Sequence, residues 1–282
     1  MYGRPVASRF AGTCSAALIA VFFLWMVPAR GADEAAIGAQ VYRDLAKKGA
    51  IVDASPWYAV LNPIGAKIAA VANKQYQFPF RFVFVNEKGP NAFAVPGGNI
   101  YVTLPMMTLV QTREELAGVL CHEVAHDIHH DVPQLNQKAQ TTNMVATGLA
   151  LLIGGGSNKT VNTVLGAGAH LQGLHYSRNV EENADSVGAR ICAQAGFNPW
   201  GMVWLFQAFS KANTGGKFEM LSDHPNDSHR ISRLEQLFAA EPATYGRYNR
   251  NKSSGQRMPA LARLRAQYGN VRPTLPARRP GY

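Results

Sequence analysis

The chain has 282 residues, 47% of them hydrophobic, with ordinary glycine and proline content and no fixed-period repeat. This permits a buried core and argues against solenoids, propellers and low-complexity chains. The formal charge of +10 is concentrated beyond Tyr245, where nine positive residues occur without an acid, and that tail lacks the signatures of a nucleic-acid reader, so no nucleic-acid partner is expected.

The N-terminus reads as an export signal. Arg4 and Arg9 precede the fourteen-residue apolar run "CSAALIAVFFLWMV", and small residues follow around Ala29 and Gly31. A membrane-crossing helix needs about 20 apolar residues, so residues 1–31 are read as a cleaved signal in preference to an anchor. Export places the chain in the periplasm or cell envelope. Cys121 and Cys192 remain after cleavage. Each lies in an apolar-periodic helical pattern, which favours two buried thiols over the single disulfide that an oxidising compartment permits.

Residues 32–240 carry the folded pattern. Ile37, Val41 and Leu45 mark an amphipathic helix ending at Gly49, and Asn62-Pro63 offers a cap and first-turn proline for a second helix. The period then changes to two in "FRFVFV" (80–85) and "GNIYVTL" (98–104), two strands expected in one small sheet. Thr112 and Glu115 form a capping box ahead of "REELAGVLCHEVAHDIHH". Residues 144–169 are rich in glycine and small apolar residues and are read as two short, closely packed segments, with a lid as the alternative. Helical patterns follow over about 177–195, after Asn198-Pro199, and after His224-Pro225 with Ile231, Leu234 and Phe238 on one side. The expected fold class is α+β: a mostly helical domain with one small β-sheet beside its central helix. Residues 241–282 are expected to be a flexible basic tail, with peripheral contact to an anionic membrane surface as its possible use.

The chemistry sits in "HEVAH" (122–126). His122 and His126 are four residues apart, about 40° around a helix, so both imidazoles point into one volume. Glu123 is rotated by about 100°, out of a metal's first shell and within reach of a water beside it. A hydrolytic zinc needs a third protein ligand and an open position. Glu181 is the best third ligand, with Asp185 one turn on able to orient a ligand histidine; Glu182 is the local competitor.

Four segments in register, "NAFAVPGGNIYV" (91–102), "HEVAH", "SRNVEENAD" (177–185) and "HPNDSHRISRL" (224–234), resemble the gluzincin metallopeptidases of the HtpX and BepA type, the family that includes the CAAX prenyl proteases. The resemblance covers about Ile37 to Phe238. It implies a zincin-type metallopeptidase domain in which His122, His126 and Glu181 hold one zinc ion per chain, Glu123 is general base and then acid, and Asp185 orients a zinc histidine. It further implies that Asn91, Ala92, Phe93 and Ala94 lie where a substrate peptide adds as a strand, and that His224 lies near the metal, closing its open position or polarising the scissile carbonyl. The activity implied is hydrolysis of peptide bonds in unfolded or misassembled envelope proteins. A zinc-stabilised chaperone with a shut cleft, and a noncatalytic membrane-surface module acting through the basic tail, are the competing readings. The chain departs from the family where Leu104-Pro105-Met106-Met107 follows the "NIYV" strand. His129, His130, His170, His175 and His229 are read as ordinary surface or helix-end residues.

Overall fold

The computed structural model describes residues 30–135, 176–212, 224 and 228–274. The segment 144–169, with His170 and His175, lies outside them, as does the expected signal. Among the described residues no helix is long and apolar enough to cross a membrane.

Helix α1 (Arg30–Lys47) stops where Gly49 adopts φ +66°, a left-handed position that favours glycine at a helix end. Helix α2 (Tyr58–Ala72) begins four residues before the expected cap and contains Pro63. The earlier start is fixed by turn bonds, Tyr58 N–H to Ser55 O (3.1 Å) and Leu61 N–H to Trp57 O (3.0 Å). Burial of Tyr58, Val60 and Leu61 on the core side holds that first turn in place.

Strands β1 (Arg81–Val85), β2 (Ala92–Val95) and β3 (Asn99–Thr103) form one sheet in the order β1-β3-β2. β1 runs parallel to β3, and β2 runs antiparallel to it. The two strands expected from the alternating pattern are therefore paired. β2 carries too short a pattern to be read as a strand. It becomes one because Gly97 (φ +98°) and Gly98 (φ +87°) turn the chain back onto β3.

The sheet is buried on both faces. Val83, Val85, Val95 and Tyr101 pack with Val41 and Leu45 of α1. Phe82, Phe84, Ala94, Ile100 and Val102 enter the main core with α2. Behind that core, after the one-turn α3 (Met106–Leu109), lies α4 (Arg113–Ile128), buried over almost its whole length. Its start is the expected capping box: Thr112 Oγ1 accepts from Glu115 N–H (3.2 Å) and Glu115 Oε2 accepts from Thr112 N–H (2.9 Å). Helices α5 (Arg178–Gln194), α6 (Trp200–Ala212) and α7 (Ser228–Ala240) complete the helical layer. The architecture is the expected α+β class.

Close approach governs how α4 meets α5. A Cβ on Gly188 would lie 3.0 Å from Cys121 O and 3.1 Å from His122 Cα, so only glycine lets the two backbones come this near. That approach brings the Cα atoms of Cys121 and Cys192 to 5.9 Å, and the two sulfurs are joined in a disulfide. This corrects the expectation of two free thiols. Helical periodicity buried both side chains, but only the glycine contact turns them toward each other.

The C-terminal segment also differs from expectation. Helices α8 (Pro242–Tyr245) and α9 (Leu261–Tyr268), with a 3-10 turn at Lys252–Ser254, dock onto the body. Tyr245 and Leu264 are buried, a contribution of roughly 2 kcal/mol each. Backbone bonds from Arg113 N–H to Gln256 O and from Met258 N–H to Gln111 O add to this (both 2.8 Å). Lys252 Nζ reaches the buried carboxylate of Glu115, and Asn62 donates to Arg272 O. Apart from Lys252, the described basic side chains face outward while the sparse apolar ones anchor the segment, a division invisible to composition alone.

Candidate metal centre

The site is built where α4, α5 and the residue His224 converge behind β2. His122 and His126 lie one turn apart on α4 and are both buried. Their Nε2 atoms face each other at 3.1 Å. Glu181, in the first turn of α5, places Oε2 at 3.4 Å from His122 Nε2 and Oε1 at 3.6 Å from His126 Nε2. His224 completes the group, with Nδ1 at 2.8 Å from Glu181 Oε1 and 3.4 Å from His122 Nε2. One ligand atom from each of these four residues fits within 4.8 Å of the others.

The far sides of the histidines are anchored. His122 Nδ1 lies 3.0 Å from Asp185 Oδ1, and His126 Nδ1 lies 2.7 Å from Asp131 Oδ2. The hydrogen bond to Asp131 fixes His126 Nδ1 as the donor and turns its Nε2 inward, and the Asp185 carboxylate beside His122 Nδ1 orients that ring in the same sense. Two Nε2 atoms this close beside a carboxylate call for positive charge between them, a proton on His122 or a metal cation. The donor set, two imidazoles and a carboxylate, fits zinc.

The electrostatics agree. Burial pulls the His122 imidazolium down, yet its interactions with the accepting carboxylates of Asp185 and Glu181 outweigh it and push the group up to about 10. Burial and the charges of His122 and His224 hold His126 well below its ordinary range. Burial would raise Glu181, but the neighbouring histidine charges keep it ionised at any ordinary pH.

Glu123 stands beside this group, fully buried. Its Oε2 accepts from Ala94 N–H of β2 (3.0 Å), whereas Oε1 has no hydrogen-bond partner and lies 3.8 Å from His224 Nε2. Burial raises its pKa above the usual carboxylate value, which makes it a stronger base. Glu182, the competitor to Glu181, points away. Its carboxylate meets His229 (3.1 Å) and Arg233 (3.3 Å) near the surface.

Four residues that the sequence reading did not single out support the group. Arg230, buried on α7, spans Asp185 and Glu181, with Nη1 at 2.7 Å from Glu181 Oε2. Its face stacks on Phe206, 4.4 Å from the ring centre. Tyr176 stacks on both His126 (centroids 4.4 Å) and His224 (5.2 Å). Asp131 follows the helix end, where His130 adopts φ +55° and turns the chain back toward His126. Asp127 accepts from Gly98 N–H (3.2 Å) and so ties the β2–β3 turn to α4. Arg230 was inside the "HPNDSHRISRL" match, and an arginine six residues after its first histidine was the available signal.

His129 and His130 have other partners. His130 Nδ1 binds the buried Glu34 of α1 (2.7 Å), and His129 lies beside Asn183. Neither belongs to the metal group.

Residues 59–238 match peptidase family M48. The chain is 28% identical over 180 residues to the β-barrel assembly-enhancing protease of Yersinia pestis, covering 61% of this chain and 37% of that one. It is 28% identical over 153 residues to the mitochondrial metalloendopeptidase OMA1 of Saccharomyces cerevisiae, 52% of this chain and 43% of that one. It is 30% identical over 211 residues to protease HtpX of Legionella pneumophila, 65% and 69% of the two. The chain thus spans less than half the length of the first two relatives.

Proposed function

The chain belongs to peptidase family M48, and from that membership we propose that it is a zinc-dependent endopeptidase acting on unfolded or misassembled polypeptides of the cell envelope. The observation that carries the reading is the pair of Nε2 atoms of His122 and His126, 3.1 Å apart and facing Glu181, with the unpartnered Oε1 of Glu123 alongside. In this proposal His122, His126 and Glu181 hold zinc, and Asp185 and Asp131 orient the two histidines.

Zinc in such a shell supplies Lewis acidity that makes water a competent nucleophile near neutral pH. Glu123 performs the proton work. Ala94 N–H fixes its Oε2, which leaves Oε1 as the proton acceptor, and the raised pKa lets the same oxygen return that proton to the leaving amine. His224 Nε2, near Oε1, is placed to assist a developing negative charge on the scissile carbonyl.

Substrate would pair with β2. Thr103 N–H donates to Asn91 O (2.9 Å), and the antiparallel register carries on through Phe93 and Tyr101. The main-chain groups of Ala92 and Ala94 consequently point away from β3. Ala94 N–H is occupied by Glu123 and Ala92 is itself buried, so an extended peptide would add to this edge only once the cover over it moves aside. Asn91 and Phe93 position the strand from its β3-facing side.

The mature unit proposed is residues 32–240 with the basic segment 241–282 attached, following a signal at 1–31. A periplasmic or envelope location is supported by the Cys121–Cys192 disulfide, a bond typical of oxidising compartments, and by similarity to the assembly-enhancing protease. Peripheral contact of the basic segment with an anionic membrane surface stays within the proposal, and no nucleic-acid partner is included.

A second reading has its own observation. His224 Nδ1 is as close to His122 Nε2 and Glu181 as a fourth ligand is. With all four donors engaged the centre has no open position, and the protein rests as a gated, zinc-stabilised binding protein. Casein cleavage at saturating zinc separates the two. The peptidase reading expects turnover abolished by Glu123→Gln and retained in part by His224→Ala. The gated reading expects no turnover in wild type and its appearance in His224→Ala.

A further inference from the structure

We propose that the cavity between α1 and the sheet binds an apolar carboxylate through Arg81. The cavity, about 530 Å³, lies where α1 leaves the beginnings of β1 and β3 uncovered. That volume is within the range of small-molecule sites. Arg81 and Val83 share the α1-facing side of the sheet with Tyr101, so the cavity opens away from α4 and its histidines.

Two features of its wall point to the ligand. One side is apolar, with Phe78, Pro79 and Val83 opposite Tyr42, which is 38% exposed and among the few large hydrophobics left uncovered in the described residues. The other feature is charge. Arg43 and Arg81 line the cavity, and among the described residues no Asp or Glu does. Arg43 donates to Gln40 Oε1 (2.7 Å). Arg81 forms no side-chain hydrogen bond or ion pair with any described residue, and its Nε is closed off from solvent. Behind it the fully buried Tyr101 also leaves its hydroxyl unpaired.

A guanidinium nitrogen closed off from water without an acceptor is unfavourable, and so is a buried hydroxyl without a partner. An oxyanion in the cavity relieves the first directly. The planar fork of arginine matches the two oxygens of a carboxylate, and the apolar wall then receives the body of the molecule. Inorganic phosphate would answer the charge and leave that wall unused. Fatty acids and the free C-termini of hydrophobic peptides share the required chemistry.

Calorimetric titration of the purified, zinc-loaded protein with octanoate tests this, with octanol and inorganic phosphate as comparison probes. The expected result is saturable octanoate binding, weakened about tenfold or more in Arg81→Gln, with octanol and phosphate binding at least tenfold more weakly than octanoate in wild type. Arg81→Lys, which keeps the charge and loses the fork, should fall between, and Tyr42→Ala, at an exposed position, should weaken octanoate without loss of folding. Zinc content and casein cleavage should be unchanged in every variant, because none of these residues touches the metal group. Equal binding of octanol and octanoate, preference for phosphate, or unchanged octanoate affinity in Arg81→Gln and Tyr42→Ala overturns the proposal. A hydrophobic tripeptide as free acid and as amide identifies the source: binding of the acid alone assigns peptide termini, and binding of neither, with octanoate bound, assigns free acids.

Discussion

Arg230 grips Asp185 with two parallel bonds, Nε to Oδ2 at 2.8 Å and Nη2 to Oδ1 at 2.6 Å, and Asp185 in turn touches His122 Nδ1. The guanidinium is only 2% exposed. It neutralises two buried carboxylates that would otherwise repel each other, and holds Asp185 ionised against the effect of burial. Removing one partner of such a network strands the others. Arg230→Met is therefore expected to lower stability by about 3 kcal/mol and to reduce zinc affinity, read by urea denaturation and by competition with a chelator. Unchanged zinc affinity in a folded variant would show that the network is structural only.

Asp131 acts on the other histidine. Its carboxylate fixes His126 from the side remote from the metal group. Asp131→Ala should weaken zinc about 10- to 100-fold, with smaller effects on folding than Arg230→Met. Asp131→Asn, which can still accept at Nδ1, should recover part of that loss.

Glu123→Gln should retain zinc while lowering kcat about 100- to 10,000-fold, the range for loss of a positioned general base. Parallel metal analysis and casein turnover check it. Activity unaffected by the substitution would remove Glu123 from the mechanism.

Metal binding should release a proton. In the metal-free protein His122 is pushed up to about 10, so it is protonated at pH 7.5, and a zinc ion must displace that proton to reach Nε2. The sign follows: apparent zinc affinity rises with pH up to about 10 and falls as the solution is acidified. Titration of zinc at pH 7.5 in buffers of different ionisation enthalpy should give a heat that varies with the buffer, corresponding to about one proton per zinc. A buffer-independent heat would contradict the electrostatic account of the site.

The disulfide links α4 to α5 across 71 residues. Closing a loop of that size stabilises by about 4 kcal/mol through the unfolded chain. Reduction, or the Cys121→Ala/Cys192→Ala pair, should lower Tm and leave the zinc ligands in place, because Gly188 still sets the helix contact.

Much of this site could be read from spacing. A helix forces His122 and His126 onto one face, and Thr112 with Glu115 announces where that helix starts. The partners that act over long sequence distances could not be read in this way. Arg230 and Asp131 look like ordinary surface charges in sequence and become buried counter-ions only when α7 and the turn at His130 come round to α4. Gly188 carries no chemical signal, yet its missing side chain permits the close contact of α4 and α5 beside the Cys121–Cys192 bond. The basic segment shows the opposite failure: its charge pattern suggests a loose tail, while a few apolar residues and backbone bonds hold its described part in place.

The central claim is that Glu181 completes a zinc centre with His122 and His126. Metal analysis of purified wild type, Glu181→Ala and Glu182→Ala, side by side after dialysis against limiting zinc, tests it most directly. The account predicts about one zinc per chain in wild type and Glu182→Ala, and a large loss in Glu181→Ala. Equal zinc content in all three proteins would contradict it.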